Sequence, residues 1–144
     1  MAVLDLKLQN EIDGKRFGAN KFFKTDKEQY FKLKTEAWEL YPEPKDNWNE
    51  AYSLAKDFFK VYLFESNFVK AKEWLNKMIA NNNNLHLFDN DLCFNIGKYY
   101  FETGEYKDAY EKWKAVVEDS GFRYFENEDK KYLDFYKSPQ KYMK

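Results

Sequence analysis

The sequence predicts an all-α protein of antiparallel helix-turn-helix pairs, preceded by a short N-terminal arm or β-hairpin. Three observations carry that expectation. Helix breakers are scarce, with 5 glycines and 3 prolines in 144 residues, and few breakers favour long helices. Apolar residues recur three and four positions apart through most of the chain after residue 24, the period of a helix with one buried face. Two stretches of the chain also match each other at a fixed offset, as repeated supersecondary units do. Aromatic residues make up 21% of the chain, so large rings are expected to fill the core.

Residues 1–24 form the arm. Leu4, Leu6 and Leu8 alternate with Asp5 and Lys7, the period of a strand with one covered face. Asp13-Gly14 is a good turn pair. A hairpin and an irregular arm are both open, and either must pack on the rest of the chain. Residues 25–144 form the helical domain. Its first helix is expected from Thr25, with Thr25 and Glu28 at capping-box spacing, to near Tyr41, where Pro42 and Pro44 stop it.

The second helix is expected over about Trp48 to Phe64. Its stripe of Ala51, Leu54, Ala55, Phe58, Phe59, Tyr62 and Leu63 is wide enough to pack on two sides. The third spans Phe68 to Ala80, with Ala71, Trp74, Leu75 and Met78 inward. The run Asn81-Asn82-Asn83-Asn84 is expected to end it as a loop, because asparagine competes with helical bonding. The fourth runs from Asn90 to Glu102, with Cys93, Ile96, Gly97 and Tyr100 on one face. Gly97 costs about 1 kcal/mol against alanine inside a helix, and close approach of a neighbouring helix would explain it. The fifth spans Tyr106 to Glu118, with Tyr106, Ala109, Trp113 and Val116 inward. A last helix spans about Asn127 to Tyr136 before Ser138-Pro139.

At an offset of 38, Tyr62 meets Tyr100, Ser66 meets Gly104, Phe68 meets Tyr106, and Ala71 meets Ala109. Leu75 then meets Trp113, and Met78 meets Val116. The second unit, with Ile96-Gly97, Tyr100, Gly104, Tyr106, Ala109, Trp113 and Val116, resembles the tetratricopeptide repeat (TPR). The best-matching repeats are residues 52–85 and 90–123. In the first unit Phe59 replaces the helix-interior glycine and Ser66 the turn glycine, and the offset exceeds the family's usual 34. The resemblance implies that the first helix of each pair lines an inner face that binds a protein or peptide. Carried onto this chain, that face offers Lys56, Lys60 and Leu63, then Asp91, Phe94, Lys98 and Phe101. It implies lysines, aromatics and a leucine suited to an acidic or amphipathic segment. The same residues are open to a second reading, in which Phe94, Phe101 and Leu63 pack on the last helix or the arm. Some members of the family hold a peptide's terminal carboxylate between lysine and asparagine. Lys56 and Asn95 fall on matching places, while Lys60 stands where an asparagine is expected.

The remaining residues point away from chemistry. The formal charge is -1, from 24 basic and 25 acidic side chains, with no concentrated basic face of the kind nucleic acid selects. Lys15, Arg16, Lys21 and Lys24 make only a small patch. No apolar run is long enough to cross a membrane, and MAVLDLKLQNEIDG is not a secretory leader. Cys93 is the lone cysteine and His86 the lone histidine. Neither a disulfide nor a zinc site is expected, and a single thiol fits the reducing cytoplasm. No cofactor is expected, and no enzyme. The expected function is a protein–protein interaction module with one protein or peptide partner. The alternative is a bacterial immunity protein that neutralises a larger toxin by tight binding, by analogy with small, nearly neutral chains rich in lysine, asparagine and tyrosine.

Overall fold

The computed structural model describes residues 3–143. Seven helices follow one another: α1 (Leu6–Gly18), α2 (Lys27–Leu40), α3 (Asn49–Phe64), α4 (Phe68–Leu85), α5 (Asp89–Glu102), α6 (Tyr106–Ser120) and α7 (Lys130–Lys137). Short 3-10 turns lie after α1, before α3, and on both sides of α7. The protein is all-α, and α1–α2, α3–α4 and α5–α6 pack as successive helix pairs.

No β-strand occurs among the described residues, so the expected N-terminal hairpin or irregular arm is corrected to α1 and its 3-10 turn. Leu4, Leu8 and Ile12 stand four apart, which is helical spacing, and all three pack with Ala37, Leu54 and Phe58. Leu6, the middle of the apparent strand alternation, is 72% exposed. The Asp5 carboxylate caps the helix by accepting from Leu8 N at 3.1 Å. Gln9 Nε2 donates to Asp13 Oδ1 one turn on, at 2.8 Å. Asp13-Gly14 therefore lies inside a helix, where the predicted turn would have been.

α2 starts two residues later than Thr25, because Asp26 is the cap and accepts from Gln29 N at 3.1 Å. The broad stripe of α3 packs on two sides. Ala51, Leu54 and Phe58 face α1 and α2, while Ala55, Phe59 and Leu63 face α4 and α5. Phe58 and Trp74 stack with centroids 3.9 Å apart.

The two central pairs repeat each other down to the backbone. Ser66 (φ 59) and Gly104 (φ 85) both take positive φ at the same place in the turn. Asn67 N donates to Tyr62 O and Glu105 N to Tyr100 O, at 2.9 and 2.8 Å. Ala71 and Ala109 are both fully buried.

The four asparagines are helical, which corrects the expected loop; α4 ends at Leu85, with His86 in the left-handed region (φ 56). Their amides make tertiary bonds that outweigh weak helix propensity. Asn81 Nδ2 donates to Trp48 O at 2.8 Å, and Asn84 Nδ2 donates to Asp46 O at 3.0 Å. Asn82 is buried; it donates to Asp89 Oδ1 at 2.7 Å and accepts from Phe88 N at 2.8 Å. It thereby fixes the α4–α5 junction. Asn82→Ala should lower unfolding free energy by about 1–3 kcal/mol, the cost of a buried N–H left unpaired, measurable as a lower urea midpoint.

The last core surrounds Trp113, which is fully buried among Phe94, Phe101, Phe125, Tyr132 and Phe135. α6 continues to Ser120, past Glu118, and α7 starts at Lys130, after its Asp129 cap. Cys93, expected on the buried face of α5, is only half-buried. That helix buries Gly97 as expected, but with Leu92, Phe94, Asn95, Lys98 and Phe101, while Ile96 and Tyr100 are half-buried.

Candidate functional site

α3 projects a row of polar side chains four residues apart toward α5. The Tyr52 hydroxyl donates to Asp91 Oδ2 at 2.6 Å. Lys56 Nζ donates to both Asp91 oxygens at 3.1 Å. Asn95 Nδ2 donates to Asp91 O at 2.8 Å and to Oδ2 at 3.3 Å. Burial, then the Asp91 charge, push the Tyr52 hydroxyl far above its usual range, so it stays a donor. The matching lysine and asparagine thus hold a carboxylate, and it is the chain's own.

Asp57, on the side of α3 toward the N-terminal pair, receives two cations. Arg16 Nε donates to it at 2.8 Å and Lys34 Nζ at 2.9 Å. Lys34 is 2% exposed. Burial pushes the Lys34 amine down, and Asp57 partly restores it. Burial also raises the Tyr30 hydroxyl to about 12, helped by the Asp57 charge. Sequence reading missed this triad. One signal was present: Lys34 stands four after Tyr30 and three before Ala37, on the apolar face of its helix.

On α5, Phe94 and Phe101 are buried against α6 and the segment that carries α7. Lys98 is buried and pairs with Glu128 Oε1 at 2.8 Å. Burial lowers its amine, Glu128 raises it, and Lys60 and Lys56 lower it again. The Tyr132 hydroxyl donates to Glu102 Oε2 at 2.7 Å, and Lys131 pairs with Glu102 at 3.0 Å.

Between these groups lies an open groove made of three concavities of about 510, 350 and 220 Å³. The largest runs between Phe23, Leu63 and Phe64 on one side and Lys98, Glu128 and Tyr132 on the other. Lys60 borders all three. It is exposed, and among the described residues no acid pairs with it. The predicted residues Lys56, Lys60, Leu63, Asp91, Phe94 and Lys98 all line this groove, whereas Phe101 does not. Phe64, 84% exposed at the lip, carried no sequence signal.

His86 is exposed at the end of α4. Cys93 Sγ donates to Lys112 O at 3.3 Å, and burial pushes its thiol up. No helix among the described residues is long and apolar enough to cross a membrane. The chain matches no family model, no curated protein and no solved structure.

Proposed function

We propose that the chain is a protein–protein interaction module, its two central pairs being repeats of TPR type, and that it works by binding rather than by catalysis. One observation carries this reading. The inner side of α3 is left open as a groove with an exposed cation at its centre and an exposed aromatic at its lip. Clefts that mix apolar anchors with oriented charge suit a macromolecular segment. The repeat assignment is supported by the matched turns, by the two buried alanines, and by Gly97, which lies against Trp113.

The test is capture of partners by the tagged full chain from its host, with proteins identified by mass. One larger protein recovered near stoichiometry through a high-salt wash would make the chain an inhibitor of the immunity type. Several weakly held proteins would make it an adaptor. Recovery of none by the wild-type chain would sink the binding reading. Lys60 is the side chain to vary in this assay. Reversing Lys56, Lys60 and Lys98 together would also break the Lys56–Asp91 and Lys98–Glu128 pairs inside the fold.

A further inference from the structure

We infer that the groove takes a segment of a partner protein that presents a carboxylate side chain to Lys60, with a large apolar side chain beside it against Phe64. The inference rests on the binding-module reading and gives it a chemistry.

Charge is the first argument. Seven basic and five acidic side chains line the three concavities, in a chain whose net charge is -1. The groove is therefore positive on an otherwise negative protein. Most of its cations are already committed. Arg16 and Lys34 share Asp57, Lys56 holds Asp91, Lys98 holds Glu128, and Lys131 holds Glu102. Lys60 and Arg123 are left with no acid of their own among the described residues; Arg123 lies only in the smallest concavity, whereas Lys60 borders all three. An ammonium in a concave, partly apolar wall gains more from an incoming carboxylate than one on a convex surface, because less water screens it.

The acids beside Lys60 choose the ligand. Glu128 and Asp129 line the same cleft as Lys60. They would repel a dianionic phosphate beside Lys60 more strongly than a single carboxylate, because repulsion grows with the ligand's charge. The lip supplies the second half of the recognition. Phe64 is 84% exposed on the last turn of α3, and Phe23, Val61 and Leu63 line the wall beside it. The cation and the exposed ring lie four residues apart on one helix, so both sit on one side of it. A short segment with an acid next to an aromatic residue can reach the two together. Aromatic anchors in such clefts carry much of the binding energy.

The probe is a capped hexapeptide, Gly-Ser-Glu-Phe-Ser-Gly, added up to millimolar concentration to the full chain labelled with nitrogen-15. Two control peptides replace Glu by Gln or Phe by Gly. The expected result is saturable movement of the Lys60, Val61 and Phe64 amide signals, about tenfold weaker or more with either control peptide. Lys60→Glu should abolish the response, while its thermal unfolding stays close to wild type because the side chain is exposed. Phe64→Ser should weaken it, and added salt should weaken it as well. Absence of movement at those amides overturns the inference, and so does an equal response to the Gln peptide. A cellular partner captured equally by wild type and Lys60→Glu also overturns it, while leaving the binding-module reading intact.

Discussion

Asp57→Asn should lower unfolding free energy by about 3–5 kcal/mol, the usual cost of removing one member of a buried ion pair. The asparagine fills the same space, so the loss is one of charge and not of packing. It strands Lys34, which is 2% exposed and whose amine has Asp57 as its ion-pair partner. Arg16, half-buried beside it, loses the counter-charge and one of the two oxygens that accept from it. Urea denaturation at neutral pH measures the loss as a lower midpoint at unchanged slope. Adding Lys34→Met to the same variant should recover part of it, because the stranded charge is then gone. No recovery would show that the network matters through Arg16 alone.

The same substitution has a pH signature. Burial pushes the Asp57 carboxyl up, but the bonds and charges of Arg16 and Lys34 overcome it and hold the group below its usual value. A depressed folded-state value means stability that is present above the unfolded value, near 4. That stability is lost as pH falls through the folded value. The wild-type chain should therefore weaken below about pH 4, and the Asn variant should lack this portion of the acid limb. Parallel acid limbs in the two proteins would contradict the geometry of the triad.

Gly97→Ala should be destabilising, by about 1–3 kcal/mol, although alanine is the better helix former by about 1 kcal/mol. A methyl group there would fall 2.6 Å from Trp113 Cδ1 and 2.9 Å from Cε2, and against Nε1. The indole cannot easily retreat. It is fully buried, Nε1 donates to Phe94 O at 3.0 Å, and five rings enclose it. Gly14→Ala is the control. Gly14 also lies inside a helix, but nothing stands within 4 Å of the added methyl, so that change should stabilise by about 0.5–1 kcal/mol. Thermal unfolding of both variants should move in opposite directions. Movement of both upward would mean that α5 and α6 are not held together through the indole.

Helices α2 to α7 were legible because apolar spacing and breakers agree there. Tyr30 and Ala37, or Ala109, Trp113 and Val116, mark one face and become the buried face. α1 was not legible. Leu4, Leu6 and Leu8 satisfy a strand period, while Leu4, Leu8 and Ile12 satisfy a helix period, and the sequence alone offers no arbiter. The arbiter is tertiary: Arg16 and Lys15 must reach Asp57 and Glu36 while Ile12 is buried. The asparagine run misled for a related reason. Local propensity favours a loop, but Trp48 O, Phe88 N and Asp46 O lie where the amides of a helix can meet them. At the site, the inward side of α3 was an expectation carried over from the TPR resemblance, which puts the first helix of each pair inside. The self-pairing of Lys56 and Lys98 was not legible, because Asp91 and Glu128 come from remote parts of the chain.

The segment that carries α7 covers Phe94 and Phe101 on the inner side of the second repeat. On the binding reading proposed above, it would act there as a tethered competitor. A linked segment meets its site at an effective concentration of about millimolar, so an outside ligand for that side must displace it, whereas the Lys60 region has no such rival. If the chain binds as proposed, one scaffold with two similar repeats would offer a single vacancy, its valency set by which inner side the chain itself occupies.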